Sequence, residues 1–427
     1  MMTSNDNQKK PFYWGVATSA FQIEGHIEND MTDWEEQGRF RQDGKNPQYE
    51  EAIDHWHHWR EDFKLLTRLN VNAYRFSVEW SRIQPENNRF DDTALAVYRD
   101  MLIELKKKQI TPFLTLHHFT HPLWFHQKCP WHKEESVDTF LAYVEKVARF
   151  AAPFVDWFLT FNEPLVWALA AYGAAKFPPG EKDFEKMMLA LFHILKSHRD
   201  AYHLIKKINP KAKIGMAKNF ILFRPLSKSN PLDKSLTRFL RFFYNRMIID
   251  AFQQNRLQVR FPFLLKFDRH IDLNNLIDFW GINYYYRLHV HFKFSLRLPF
   301  DLKFIDQSGE GFSDIGWENH SKGLFKTAKW LAKTGKPILI TENGIATDND
   351  LKRVEFLENH LHVIKKIQKK GIDLRGYFYW SFLDNYEWLE GNSARFGLIE
   401  VDYQNKLKRI EKPSAVFYRN YIAWQND

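Results

Sequence analysis

Several features of unusual protein classes are missing from this sequence. It has one cysteine, Cys129, so no intrachain disulfide can form and a structural zinc site built from cysteines is excluded. No run of 18 or more apolar residues occurs, so we predict no membrane-spanning helix. The first ten residues, MMTSNDNQKK, contain no apolar segment of the secretory type, and we therefore expect a cytoplasmic protein.

Charge and aromatic content are the two distinctive features of the composition. The 61 Lys and Arg exceed the 52 Asp and Glu, which gives a net charge of +9. No recognition motif accompanies this charge, so we expect no nucleic-acid partner. Aromatic residues make up 16% of the chain and include 15 Trp. Such a content suggests a binding cleft that stacks against flat apolar faces.

No internal repeat, low-complexity tract or Gly/Ser linker divides the 427 residues. We therefore expect one domain over residues 1–427, with residues 1–10 as a flexible tail. Short apolar strands alternate with longer amphipathic segments, which is typical of βα units and a parallel sheet. Eight strands are predicted, at Phe12–Ala17, Ala73–Val78, Thr111–Leu116, Trp157–Phe161, Lys213–Ala217, Phe279–Tyr284, Pro337–Thr341 and Leu374–Trp380. Eight such units in one α/β chain indicate a single (β/α)8 TIM barrel with elaborated βα loops.

The segments between these strands show helical spacing of apolar residues. The stretch Leu351–Lys370 has one apolar stripe, a cap at Asp348, Asn349 or Asp350, and Gly371 after its end. The other predicted helices are Glu61–Leu69, Thr93–Lys107, Ser136–Ala152, Phe184–Ile208 and Leu236–Gln253.

Residues 287–321 are the irregular part of the chain. Around 289–294 and over Leu298–Ile305, aromatic or aliphatic residues alternate with basic ones. We predict a pair of short β-hairpin strands on the barrel rim. The alternative is a basic and apolar wall over the cleft entrance, or a patch that associates weakly with anionic or apolar surfaces.

Two predicted strands end on a glutamate. Lys336–Ala346 (KPILITENGIA) is an apolar run that stops at Glu342, and Asp156–Pro164 (DWFLTFNEP) is an aromatic-rich run that stops at Glu163. A buried acid is costly, and the carboxyl ends of barrel strands meet on one face. A pair of acids there suits glycoside cleavage, proton abstraction with a metal, or metal-assisted hydrolysis.

The other polar residues at predicted strand ends favour the first of these reactions. They are neutral amides, phenols and indoles, fit to bind hydroxyls and stack on sugar rings, with one further acid: Gln22, His118, Asn162, Asn283, Asn343, Tyr285, Trp380, Glu387 and Trp388. Clustered Asp and His ligands of a two-metal site are lacking. His117, His118 and His121 crowd together, but their directions alternate along a strand end. We therefore expect no metal and no cofactor.

Several long motifs resemble those of family-1 glycoside hydrolases, the β-glucosidase family. The resemblance runs from about Phe12 to Ile422 in the family's order. The motifs are WGVATSAFQIEG (Trp14–Gly25), DHWHHWREDFKLLTRLNVNAYRFSVEWSRIQP (Asp54–Pro85), FLTFNEP (Phe158–Pro164), DFWGINYY (Asp278–Tyr285), PILITENG (Pro337–Gly344) and YWSFLDNYEWLEGNSARFGLIEVDY (Tyr379–Tyr403).

The resemblance implies a role for each matching residue in a retaining double displacement. Glu342 matches the nucleophile and Glu163 the acid/base. Arg75 and Tyr285 match residues that contact the nucleophile, and Asn162 one that holds the sugar 2-hydroxyl. The residues that match the sugar-binding set are Gln22, His118, Glu387 and Trp388, with Trp380 as the floor of the sugar site. We expect Glu24 and Glu79 to lie behind the residues that contact the sugar and not to touch the sugar themselves.

One departure from the family pattern bears on the substrate. The usual YHWDLP motif is here HHFTHP, so the usual Trp is Phe119 and the acid is Thr120. The preferred sugar and the aglycone therefore stay open. We expect hydrolysis of terminal non-reducing β-D-glucosides, with galactosides and fucosides not excluded. The alternatives are a 6-phospho-β-glycosidase, which a carboxylate at Glu387 disfavours, a transglycosylase, and a non-catalytic glycoside-binding barrel.

Overall fold

The computed structural model of the chain describes residues 11–39, 51–261, 265–293 and 300–426. In these ranges the strands are β1 Tyr13–Ala17, β2 Ala73–Ser77, β3 Thr111–His117, β4 Trp157–Asn162, β5 Lys213–Pro225, β6 Arg256–Phe261, β7 Leu265–His270, β8 Phe279–Phe292, β9 Phe300–Lys303, β10 Ile338–Asn343, β11 Leu374–Trp380, β12 Ile399–Asp402 and β13 Lys408–Glu411. The α-helices are α1 Ala20–Glu24, α2 Asp30–Glu36, α3 His55–Arg68, α4 Trp80–Ile83, α5 Asp92–Lys107, α6 Leu123–Lys128, α7 Glu135–Ala151, α8 Pro164–Ala168, α9 Phe184–Ile208, α10 Pro231–Leu240, α11 Met247–Gln254, α12 Ser321–Leu331, α13 Asp350–Lys369 and α14 Pro413–Asn426.

The parallel strands close into a barrel. Their order is β1, β2, β3, β4, β5, β8, β10 and β11, and β11 pairs with β1 to complete the ring. These are the eight strands predicted from the sequence, so the (β/α)8 barrel is confirmed. Because all eight strands run in the same direction, their carboxyl ends meet at one mouth of the barrel.

The barrel interior is filled by alternating large and small side chains. Phe113, Phe279 and Phe378 are fully buried there. Gly15 and Gly215 leave the room these rings need, since a Cβ at Gly15 would lie 2.6 Å from Phe378 and one at Gly215 would lie 2.5 Å from Phe279. The interior is thus a packed core, and the pocket described below opens above it.

Strands β5 and β8 run beyond the bounds predicted for them. Above the barrel they stay paired as far as Pro225 and Val290, and β8 then pairs antiparallel with β9, His289 opposite Lys303. The hairpin prediction for the rim is confirmed for the strands, while residues 294–299 lie outside the described residues. Association of this rim with anionic or apolar surfaces stays a prediction.

Most predicted helices are present with small shifts of their ends. Asn349 caps α13 by accepting the backbone N–H groups of Leu351 and Lys352. The helix predicted over Leu236–Gln253 is present, but a π-helical turn at Arg241–Arg246 lies between α10 and α11. Apolar spacing continues through that turn, so the sequence pattern does not reveal it.

No helix among the described residues is long and apolar enough to cross a membrane. The cytoplasmic location, the absence of a nucleic-acid partner and the single-domain boundary stay predictions. The tail predicted at residues 1–10 lies outside the described residues.

Candidate active site

A pocket opens at the mouth of the barrel and encloses ≈ 930 Å³ of empty space, part of it continuous with solvent. Most of the predicted site residues line it: Gln22, His118, Asn162, Glu163, Tyr285, Glu342, Trp380, Glu387 and Trp388. Arg75 and Asn283 are both fully buried and contact the acids from below. All eleven predicted site residues are therefore brought together.

Glu342 lies at the carboxyl end of β10 and is 4% exposed. One carboxylate oxygen accepts a bond from Nη1 of Arg75 at 2.6 Å, and the other accepts one from the Tyr285 hydroxyl at 2.6 Å. Each oxygen of this acid thus has a strong donor, and the guanidinium supplies the opposite charge that a buried carboxylate needs.

Arg75 lies in the middle of β2, and its side chain is fully buried and fixed by hydrogen bonds. Its guanidinium donates to the backbone carbonyl of Thr341 at 3.1 Å, to the Thr115 hydroxyl at 3.3 Å and to Oδ1 of Asn162 at 2.7 Å. These partners come from three other strands, so the position of the positive charge is fixed by the barrel itself.

Glu163 follows β4 in a left-handed backbone conformation, with φ 45°, immediately before Pro164 starts α8. Its Oε1 accepts bonds from the side-chain amides of Asn283 at 2.6 Å and Asn219 at 3.1 Å. Burial, followed by the nearby charge of Glu342, raises the pKa of Glu163 to about 7, although the two amides and Arg75 act to lower it. The two glutamates therefore have different electrostatic surroundings.

Asn283 and Asn162 connect the two acids. The Asn283 amide donates to Glu163 and, at 3.0 Å, to Oδ1 of Asn162, which also accepts the bond from Arg75. Nδ2 of Asn162 lies 3.0 Å from Nε2 of His118. Burial and the charge of Arg75 hold the pKa of His118 well below its usual range, so its ring is neutral and can accept this bond.

Glu387 faces the pocket from the segment after β11. It accepts bonds from the Trp380 indole at 2.9 Å and from the Gln22 amide at 3.2 Å. Burial raises the pKa of Glu387 to about 8, and the charge of Glu342 adds to this. Trp388 stacks on Phe21 with ring centroids 5.4 Å apart.

The mouth of the pocket is aromatic. Phe119, where the family pattern has Trp, lies 5.0 Å from Trp388 and 5.8 Å from Phe177, measured between ring centroids. Tyr286, Trp317 and Phe396 also line the pocket, and Trp317 contacts the other two rings. The pocket is thus polar at its floor and apolar at its entrance.

The two outer acids lie where the sequence predicted them. Glu24 pairs with Arg82 at 3.0 Å, and Glu79 accepts a bond from Thr120 at 2.8 Å. Neither lines the pocket. Thr120, the second departure from the family pattern, thus ties the loop after β3 to Glu79.

Sequence reasoning missed three residues that support Glu163. Lys218 is 2% exposed, and its ammonium donates to the backbone carbonyls of Asn219 at 2.8 Å and Tyr244 at 2.5 Å. The Tyr244 hydroxyl donates to Oδ1 of Asn219 at 2.9 Å, which turns the Asn219 amide nitrogen towards Glu163. A lysine inside an apolar strand was the available signal. Burial lowers the pKa of Lys218 to about 7.

The raised pKa of Glu163 has a consequence for stability. The folded protein binds its proton up to about pH 7, whereas the unfolded chain releases it near 4.5. Stability is therefore lost as the pH rises between these values, by about 3 kcal/mol in total.

Replacing Glu163 tests this pH dependence. In urea unfolding, we expect Glu163→Gln to be as stable as the parent at pH 4 and more stable than the parent at pH 8. Glu185→Gln, at an exposed glutamate of α9, is the control and should change neither. Equal stabilities of Glu163→Gln and the parent at pH 8 would contradict the raised pKa.

Comparison with known proteins agrees with this geometry. The family model "Glycosyl hydrolase family 1" matches residues 4–427. The chain is 32% identical over 435 residues to beta-glucosidase A of Thermotoga maritima, with 96% of each chain covered. Among solved structures it resembles a beta-glycosidase from Pyrococcus horikoshii, with TM-score 0.89, 38% identity and coverage of 96% of this chain and 93% of that one. It also resembles the beta-glucosidase from Thermotoga maritima in complex with glucoimidazole, with TM-score 0.86, 29% identity and coverage of 97% and 99%.

The match spans nearly the whole chain, and the barrel and its paired strand-end acids are those expected from the motifs. The chain therefore belongs to glycosyl hydrolase family 1 and is a β-glycosidase, a glycoside hydrolase of the retaining type.

Proposed function

We propose that Glu342 is the nucleophile and Glu163 the acid/base in the cleavage of terminal non-reducing β-D-glucosides, without a cofactor. The observation that carries the proposal is the difference between the two acids. Glu342 is paired with Arg75 and Tyr285, while Glu163 accepts hydrogen bonds from two neutral amides and has a pKa of about 7. One glutamate is thus suited to be ionised and the other to carry a proton.

The proposed reaction has two steps. In the first, a carboxylate oxygen of Glu342 attacks the anomeric carbon, and the bond to the leaving oxygen breaks as Glu163 transfers its proton to that oxygen. In the second, Glu163 takes a proton from water, and the resulting hydroxide displaces Glu342 from the sugar. Arg75 and Tyr285 stabilise the Glu342 carboxylate when it departs.

The pocket floor supports binding of a sugar with free hydroxyls. Gln22, His118, Asn162 and Glu387 offer hydrogen-bonding groups there, and Trp380 presents its indole to the pocket. The Trp380 N–H is already engaged by Glu387 at 2.9 Å, which fixes the ring for stacking on the sugar. We propose that Asn162, placed between Arg75 and His118, holds the 2-hydroxyl.

The pocket lining also favours a neutral sugar over a 6-phosphate. None of the described residues that line the pocket is Lys or Arg, so a phosphate would find no cation there. The pKa of about 8 for Glu387 means that this group holds a proton for part of the time at neutral pH. The lack of a cation is therefore a stronger argument against a phosphosugar than repulsion by Glu387.

Transglycosylation is a second candidate activity. The aromatic entrance formed by Phe119, Phe177, Tyr286, Trp317 and Trp388 would retain an apolar alcohol better than it retains water. Such an alcohol could take the place of water in the second step, because the same glycosyl intermediate serves both reactions.

We expect Glu342→Ala to lose at least a thousandfold of the hydrolytic rate, because no covalent intermediate can form. Added azide should restore turnover of an activated aryl glucoside by occupying the space of the lost carboxylate, and the product should be a glycosyl azide of inverted configuration. Product analysis by NMR measures this. Full hydrolysis by the variant without azide would refute the nucleophile assignment.

Glu163→Ala tests the acid role by comparing leaving groups. The rate of the first step should fall severely for alkyl glucosides, because their leaving oxygen needs a proton. It should fall much less for dinitrophenyl glucoside. In the parent enzyme, kcat/KM should fall above pH about 7 as Glu163 ionises. Two results together would contradict this role: an equal loss of rate on both substrates, and a kcat/KM of the variant that still falls above pH about 7 as in the parent.

A panel of nitrophenyl β-glycosides tests the substrate class. We expect the best substrate of the panel to be the gluco, galacto or fuco form. The kcat/KM of the 6-phosphoglucoside should be at least a hundredfold lower than that of the best substrate. Adding a primary alcohol and analysing products separates hydrolysis from transfer. Preference for the 6-phosphate form would overturn the neutral-sugar proposal.

A further inference from the structure

A second cluster of polar side chains lies outside the pocket, where α2 meets the segment after β3. Asp30 stands in the first turn of α2, His121 in the loop after β3 and His126 in α6. Their potential ligand atoms all lie within 4.8 Å of one another. Asp30 and His121 are each 1% exposed, and His126 is half-buried on the outer side. We call these three residues the Asp30 cluster.

The backbone fixes Asp30 and His121 against each other. The Asp30 N–H donates to the His121 carbonyl at 3.1 Å, and the His121 N–H donates to Oδ1 of Asp30 at 2.9 Å. Oδ2 of Asp30 is buried and has no hydrogen-bond partner, although it lies 3.4 Å from Nε2 of His121. A buried carboxylate oxygen without a donor is costly, so a cation bound between Asp30 and His121 would stabilise it.

The spacing suits a tetrahedral metal ion. With bonds of about 2.0–2.2 Å to nitrogen and oxygen, two ligands of a zinc ion lie roughly 3.4 Å apart. Oδ2 of Asp30 and Nε2 of His121 have this separation. His126 supplies a third ligand within reach, and its ring stacks near that of His121, with centroids 5.7 Å apart.

Negative charge on the outer side favours entry of a cation. Asp33, one turn further along α2, and Glu181 both act electrostatically on His126. Glu181 is paired with Lys186 at 2.6 Å, whereas the partner of the Asp33 side chain among the described residues is the neutral amide of Gln37 at 2.7 Å. An acid therefore stands at the half-exposed side of the cluster.

We propose that Asp30, His121 and His126 bind a divalent transition-metal ion, with Zn²⁺ as the best fit to a site of two imidazoles and one carboxylate. The ion ties α2 to the segment that follows β3. That segment carries His118 and Phe119 into the pocket, so the metal acts as a structural clamp behind the sugar site.

One of the proposed ligands, His121, belongs to the stretch that departs from the family motif. HHFTHP has His121 where YHWDLP has Leu, so the ligand belongs to the same altered stretch as Phe119. His117 stacks on His121 at 5.9 Å between centroids but supplies no atom to the cluster, and His118 faces the pocket. The three crowded histidines of the sequence thus separate into one ligand, one core ring and one pocket residue.

A matched control exists on the surface. In the described ranges, His26, Asp54 and His57 form the other group with potential ligand atoms this close. His26 and His57 are exposed, and Nδ1 of His57 lies 2.6 Å from Oδ1 of Asp54, so the imidazole is already partnered there. A metal ion would therefore bind to this second group with low affinity.

The test uses the full chain, stripped with a chelator and dialysed. We expect titration calorimetry with ZnCl2 to give one bound ion per chain and the Tm to rise on binding. His126→Gln should raise the Kd at least tenfold and remove the Tm rise, because it deletes a ligand at a half-buried position. His57→Gln should change neither quantity. Co²⁺ added to the parent should give the visible absorption of a tetrahedral site, lost in Asp30→Asn.

Three results would overturn the proposal. They are no zinc binding by the parent chain, equal affinity in the parent and His126→Gln, or loss of the bound ion in His57→Gln. These readouts do not use catalysis, so they stand apart from any test of Glu163 and Glu342.

Discussion

The contact between Arg75 and Glu342 is the interaction on which the pocket depends. It places a fixed positive charge beneath one of two buried acids, and four strands contribute to it. Arg75 also donates to Asn162, and Asn162 accepts from Asn283, which reaches Glu163. A displacement of Arg75 would therefore disturb both acids, one directly and the other through the two asparagines. The packed barrel interior below it, with Phe113, Phe279 and Phe378, prevents such a displacement.

Two chemically identical side chains acquire different properties from their neighbours. Glu342 has a guanidinium and a phenol, and Glu163 has two amides and a buried position beside the charge of Glu342. The amides donate to either form of Glu163 without contributing a full charge, so burial dominates its pKa. The barrel thus gives the two acids different partners, a guanidinium and a phenol for Glu342 and two amides for Glu163, which fits the different roles that a retaining glycosidase needs from them.

The predictable part of the site consists of residues whose position follows from a strand end. Glu342 lies in the last two residues of β10, Glu163 directly follows β4 and Arg75 lies within β2, and the motifs around all three are long. Asn219 was missed because β5 was predicted to stop at Ala217, whereas the strand continues to Pro225. Tyr244 was missed because a π-helical turn directs it, and apolar spacing does not encode that turn. The Asp30 cluster was not predicted, because Asp30 and His121 are 91 positions apart and His121 lies in a loop whose sequence has no periodic pattern.

Burial raises the pKa of Glu163, and the charge of Glu342, held in place by Arg75, adds to this effect. The direct measurement is a titration of the Glu163 carboxyl by carbon-13 NMR in the parent chain and in Glu342→Gln, which keeps the shape and removes the charge. The account predicts a pKa near 7 in the parent and a clearly lower value in the variant, still above 4.5 because burial remains. An identical pKa in both proteins, or a higher one in Glu342→Gln, would contradict it.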